Sequence, residues 1–129
     1  HSDNINKTGP VVLVAEDEED VRLAIRMLLE TQGYQVVCMG TTGEALNTLN
    51  DNVFDLIISD LMMPGGGGRK IIQAASGLEP VPPVIIITGK LEQYVMDELI
   101  GLGANACLQK PFDLNTLLKL IREILNNNN

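Results

Sequence analysis

Five short apolar runs, each followed by a stretch with apolar residues at helical spacing, constrain this chain more than any other feature. The runs are Val11-Val12-Leu13-Val14, Gln35 to Met39, Phe54 to Ser59, Val84 to Thr88 and Ala106 to Gln109. They are too short for helices. Unbroken apolar runs such as Val11 to Val14 mark strands covered on both faces, as in a parallel sheet. After the first run, Val21, Ala24, Ile25, Leu28 and Leu29 recur at helical spacing, and Gly33 is placed to end that helix. Thr41 with Glu44 fits a capping box ahead of Ala45, Leu46 and Leu49. Short helices are expected over Arg69 to Ala75 and Glu92 to Ile100. Asp113 can cap a last helix with the stripe Leu114, Leu117, Leu118, Ile121 and Leu125. This (βα)5 order predicts an α/β fold, a doubly wound five-stranded parallel sheet with helices on both faces.

A length of 129 residues suits one domain. Residues 10–125 are read as that domain. Residues 1–9 are expected to be a disordered extension or the remnant of a tag, and 126–129 an Asn-rich tail. Nine basic against seventeen acidic side chains give a net charge of −8. That balance opposes a direct grip on nucleic-acid phosphates and favours a bound cation or a basic partner surface. No apolar run is long enough to span a bilayer. Cys38 and Cys107 lie in no metal-ligand or disulfide spacing, so two reduced thiols and a cytoplasmic location are expected.

In such a sheet the site lies at the carboxyl ends of the strands. Strand one ends in Glu16-Asp17, strand three in Asp60, strand four in Thr88 and strand five in Lys110-Pro111. Taken singly, each has a duller role as a turn residue, a cap or a solvated charge. Taken together, three carboxylates, a hydroxyl and an ammonium converge on one rim. Crowded carboxylates repel unless a cation intervenes, and an oxygen-only set suits Mg²⁺. With such an ion, Asp60 can stay ionised and attack phosphorus. The run Glu18-Glu19-Asp20 is read only as complementing the positive end of the first helix. The glycines from Gly65 to Gly68 lack the Gly-Lys-Ser/Thr ending of a phosphate loop and are read as a flexible, mobile loop beside Asp60.

These residues resemble the receiver domain of two-component response regulators, which has a flavodoxin-like fold. The likeness spans Val11 to Leu125. It rests on Val14-Ala15-Glu16-Asp17, on Ile57-Ile58-Ser59-Asp60-Leu61-Met62-Met63-Pro64-Gly65, and on Ile87-Thr88-Gly89. Gly103-Ala104-Asn105-Ala106 and Lys110-Pro111-Phe112 complete it. The resemblance implies Asp60 as phosphoacceptor, and Glu16, Asp17, Asp60 and the Met62 backbone carbonyl around Mg²⁺. It implies Thr88 and Lys110 as contacts of the phosphoryl group, and a cis Lys110–Pro111 bond. Receivers usually carry Tyr or Phe at the position of Cys107. A thiol cannot fill an aromatic-sized gap, so Cys107 marks a departure at the switch.

The function implied is a phosphorylation-dependent signalling switch. It would be charged by a phosphohistidine of a histidine kinase or histidine phosphotransfer domain, and would catalyse only its own phosphorylation and dephosphorylation. An output domain or the remainder of a hybrid kinase is an expected companion, and the resemblance admits a homodimer through the fourth and fifth helices. The alternative is a phosphorylation-silent interaction module, which would not need Asp17, Asp60, Thr88 and Lys110 together. An independent phosphatase or nucleotide-using enzyme would need a second catalytic acid or a cap domain, and the chain offers neither.

Overall fold

A computed structural model of the protein describes residues 9–127. The expected N-terminal extension, but for Gly9, and the last two Asn of the expected tail lie outside the described residues. Strands and helices alternate throughout: β1 (Val11–Ala15), α1 (Glu19–Thr31), β2 (Gln35–Met39), α2 (Thr42–Asp51), β3 (Leu56–Asp60), α3 (Gly67–Ser76), β4 (Val84–Thr88), α4 (Gln93–Leu102), β5 (Ala106–Gln109) and α5 (Leu114–Asn127). The strands form one parallel sheet in the order β2-β1-β3-β4-β5.

The sheet is covered on both faces because its strands are apolar at odd and even positions alike. Leu13, Ile57 and Ile86 point to one side, where residues of α2, α3 and α4 such as Leu49, Ile71 and Leu99 meet them. Val12, Val14, Ile58, Ile85 and Ile87 point to the other, against Ile25 and Leu29 of α1 and Leu117 and Ile121 of α5. Each Leu or Ile side chain fully withdrawn from water contributes about 1.5–3 kcal/mol before entropy is set against it. Among the described residues, no helix is long and apolar enough to cross a membrane.

Local chemistry sets the helix ends. The Thr41 hydroxyl caps α2 by accepting the Glu44 backbone N–H at 3.1 Å. Asp113 caps α5 by accepting the Asn115 N–H at 2.7 Å. That helix runs through Asn126 and Asn127, past the expected start of the tail.

The glycine run departs in part from the sequence reading. Gly65, Gly66 and Gly67 all have positive φ, which side-chain-bearing residues rarely adopt. Gly67 and Gly68 are buried and form the first turn of α3. A side chain at Gly67 would collide with the Leu61 carbonyl, and a Cβ on Gly68 would stand 2.8 Å from Ile86 Cδ1. The buried Thr42 hydroxyl fastens the loop, accepting the Gly67 N–H at 3.0 Å and donating to the Pro64 carbonyl at 2.8 Å. Gly67 and Gly68 let α3 approach the end of β3 closely and belong to the helix, whereas Gly65 and Gly66 stay in the exposed turn before it. Conformation and clearance, rather than freedom, explain Gly67 and Gly68.

Candidate functional site

In the strand order β2-β1-β3-β4-β5, chain connections leave β1 and β3 toward opposite sides, and the crevice opens between their carboxyl ends. Glu16 and Asp17 follow β1 directly, and Asp60 is the last residue of β3. The register pairs Ala15 with Ser59, so these acids leave neighbouring strands at the same level. One carboxylate oxygen from each of Glu16, Asp17 and Asp60 lies within 4.8 Å of the others. Glu16 and Asp60 are buried and Asp17 is exposed, so the trio forms a bowl open on one side.

Lys110 reaches this bowl from the end of β5, in a stretch whose Lys110–Pro111 bond is cis. Its Nζ is 2.8 Å from Glu16 Oε1 and 3.3 Å from Asp60 Oδ2. The Glu16 contact is an ion pair off the angle of a hydrogen bond, and Oε1 of that buried carboxylate has no hydrogen-bond donor. The other oxygen, Oε2, accepts the Glu18 N–H at 2.9 Å, and the Arg22 guanidinium donates to the Glu16 carbonyl at 2.8 Å. Asp60 Oδ1 accepts the Met62 N–H at 3.3 Å.

The charges in the bowl are under strain. Burial lifts the Glu16 carboxyl to about 7, against the opposing pull of Lys110 and of the Glu18 N–H. Burial likewise raises Asp60 above the usual carboxylate range, with Lys110 and the Met62 N–H working the other way. Burial would lower Lys110, but its contacts with Glu16 and Glu18 and the charge of Asp60 outweigh it and hold the ammonium above its ordinary value. Three clustered carboxylates, two of them buried, and an all-oxygen donor set fit a hard divalent cation, which would relieve the repulsion that one ammonium leaves unbalanced.

Thr88 ends β4 and is buried. It lines a groove of about 410 Å³ with Leu61, Met62, Lys90 and Val95. Cys107 lies on β5 opposite Ile86, partly buried against the side of the sheet that carries α2, α3 and α4. Glu16, Asp17, Asp60 and Lys110 are thus brought together. Thr88 stands on the same rim, and Cys107 sits one layer below.

The sequence reading passed over Glu18. Its carboxylate Oε1 is 2.8 Å from Lys110 Nζ, although 92 residues separate the two. Glu18 occupies the N-cap of α1 without capping it. The signal available was its place two residues beyond Glu16, at the start of a helix whose first turn faces the same rim.

A family model described as the response regulator receiver domain matches residues 12–122. A Staphylococcus aureus protein named response regulator ArlR is 37% identical over 120 residues, covering 88% of this chain and 52% of that protein. An uncharacterized transcriptional regulatory protein, YkoG of Bacillus subtilis, is 31% identical over 119 residues, covering 91% of this chain and 51% of that protein. The chain therefore spans about half the length of these curated relatives. Among solved structures, a CheY-like response regulator receiver domain protein from Methanospirillum hungatei superposes with a TM-score of 0.87 at 27% identity, covering 93% of this chain and 96% of the other.

Proposed function

Since this chain belongs to the response regulator receiver family, we propose that it is a phosphoacceptor switch in which Asp60 takes a phosphoryl group from a phosphohistidine with the help of Mg²⁺. The observation that carries this reading is the bowl itself: Asp60 buried, two further acids beside it and one ammonium in reach.

Glu16, Asp17, Asp60 and the Met62 backbone carbonyl are the groups that would hold the ion. When bound, Mg²⁺ supplies positive charge that keeps the acids ionised and neutralises phosphoryl oxygens. An Asp60 oxygen attacks phosphorus, and the new O–P bond forms as the P–N bond to the donor imidazole breaks; that nitrogen then takes a proton from solvent. Lys110, already 3.3 Å from Asp60, turns its N–H groups to the transferred phosphoryl oxygens. Thr88 donates its hydroxyl to the same group and draws the end of β4 toward it. Cys107 is too small to follow as an aromatic would, so the shift must pass to α4 by repacking along the groove that Thr88 lines. Hydrolysis of the acyl phosphate resets the switch, and the protein turns over no other substrate.

Receiver domains work with histidine kinases and with output domains. A histidine kinase or phosphotransfer domain is the proposed donor, and a further domain of the kind that fills the other half of the relatives is the proposed reader. A cytoplasmic site of action fits both. The net charge of −8 turns this domain away from direct contact with nucleic acid.

The test is incubation with acetyl phosphate, with and without Mg²⁺, read by intact mass. One added phosphoryl group that depends on Mg²⁺ is expected. No addition would favour the silent interaction module, and steady release of phosphate without a modified protein would favour an enzyme.

A further inference from the structure

Lys110 carries three N–H donors, and three carboxylates surround it. The Glu18 contact is a hydrogen bond of 2.8 Å, as short as the 2.8 Å ion pair to Glu16, and Asp60 stands farther off at 3.3 Å. Glu18 is also fixed in place. Its N–H is bound by Glu16 Oε2, and its carbonyl accepts the Arg22 N–H at 2.9 Å to start α1. The exposed Glu18 carboxylate therefore binds, from a backbone held at both its N–H and its carbonyl, the same ammonium that stands 3.3 Å from Asp60.

Resting on the phosphoacceptor reading above, we infer that Glu18 is a positioning residue that restrains Lys110 and so slows the charging of Asp60. To reach an incoming phosphoryl group, Lys110 must exchange its Glu18 bond for one to the phosphoryl oxygens. Glu18 is neither a nucleophile nor one of the clustered acids; it acts through Lys110. The cost of the exchange is that of a largely exposed ion pair, which corresponds to a rate effect of up to about fivefold.

The experiment compares the parent with Glu18→Gln, charged by acetyl phosphate at saturating Mg²⁺. In that reaction the Asp60 O–P bond forms as the donor P–O bond breaks and acetate leaves. Glu18→Gln is expected to charge about twofold to fivefold faster, and the gain is expected to disappear when both proteins also carry Lys110→Ala. An equal or slower rate, or a gain that persists without Lys110, would overturn the inference. A parent that is not modified at all would instead sink the phosphoacceptor reading. A second measurement needs no chemistry: nitrogen NMR of the Lys110 ammonium without Mg²⁺ should show faster proton exchange with water in Glu18→Gln, and unchanged exchange would contradict the restraint.

Discussion

Removing divalent ions and raising the pH should destabilise this protein, because Glu16 is forced to ionise in a buried place. Its carboxyl titrates at 4.5 in the unfolded chain and at about 7 in the folded one. Between those values the folded state binds the proton more tightly. The stability that Glu16 contributes is therefore complete below about 4.5 and is lost as the pH rises through about 7. At about 1.36 kcal/mol per pH unit, the loss across that window is about 3 kcal/mol. Asp60, also raised by burial, contributes with the same sign. Lys110 is raised as well, but its contribution is complete below 10.5 and stays flat across the window. Urea unfolding in a chelating buffer from pH 5 to 8 reads the effect. With a slope of about 2 kcal/mol per molar, the midpoint should fall by roughly 1–2 M. Glu16→Gln cannot ionise there, yet it keeps the general acidity of the surface, so most of the pH dependence should vanish in it. Saturating Mg²⁺ should restore the parent at pH 8 by binding the folded state. A parent whose stability is flat or rises between pH 5 and 7, or a Glu16→Gln variant with the same slope, would refute the reasoning.

Other substitutions probe the neighbouring structure. Gly68→Ala would gain about 1 kcal/mol of helix propensity if the glycine merely loosened a loop, but its Cβ would stand 2.8 Å from Ile86 Cδ1 and 3.1 Å from Leu61 Cα. A net loss of about 1–3 kcal/mol in urea unfolding is expected. Thr42→Val keeps the shape but strips the Gly67 N–H and the Pro64 carbonyl of their partner, at a cost of about 1–3 kcal/mol by the same assay. Met62, two residues past Asp60, is largely exposed and lines the groove beside Thr88. Met62→Asn should shorten the phosphorylated lifetime severalfold in a phosphate-release time course, since an amide can orient water where a thioether excludes it.

Much of this was legible in the residues. β2, β4 and β5 begin and end where the apolar runs do, and Thr41 and Asp113 cap the helices their side chains announced. Glu16, Asp17, Asp60 and Lys110 meet because parallel strands place all their carboxyl ends on one rim, so the topology gathers what the sequence scatters. The roles of Gly67 and Gly68 are not legible because composition reports conformational freedom, whereas these two answer to a clearance against Leu61 and Ile86 that only tertiary packing creates. Glu18 was hidden for a related reason. An acidic residue at a helix start is already explained by the helix dipole, and nothing local reveals a lysine 92 residues away.

Borohydride reduction of the protein after exposure to acetyl phosphate and Mg²⁺ tests the role of Asp60 most directly, because it converts an acyl phosphate into a stable alcohol that peptide mass spectrometry can locate. The expected result is homoserine at position 60 and at no other acid, absent when Mg²⁺ is withheld. Reduction at Glu16 or Asp17, or none in a protein shown to be folded, would contradict the assignment of the phosphoryl group to Asp60.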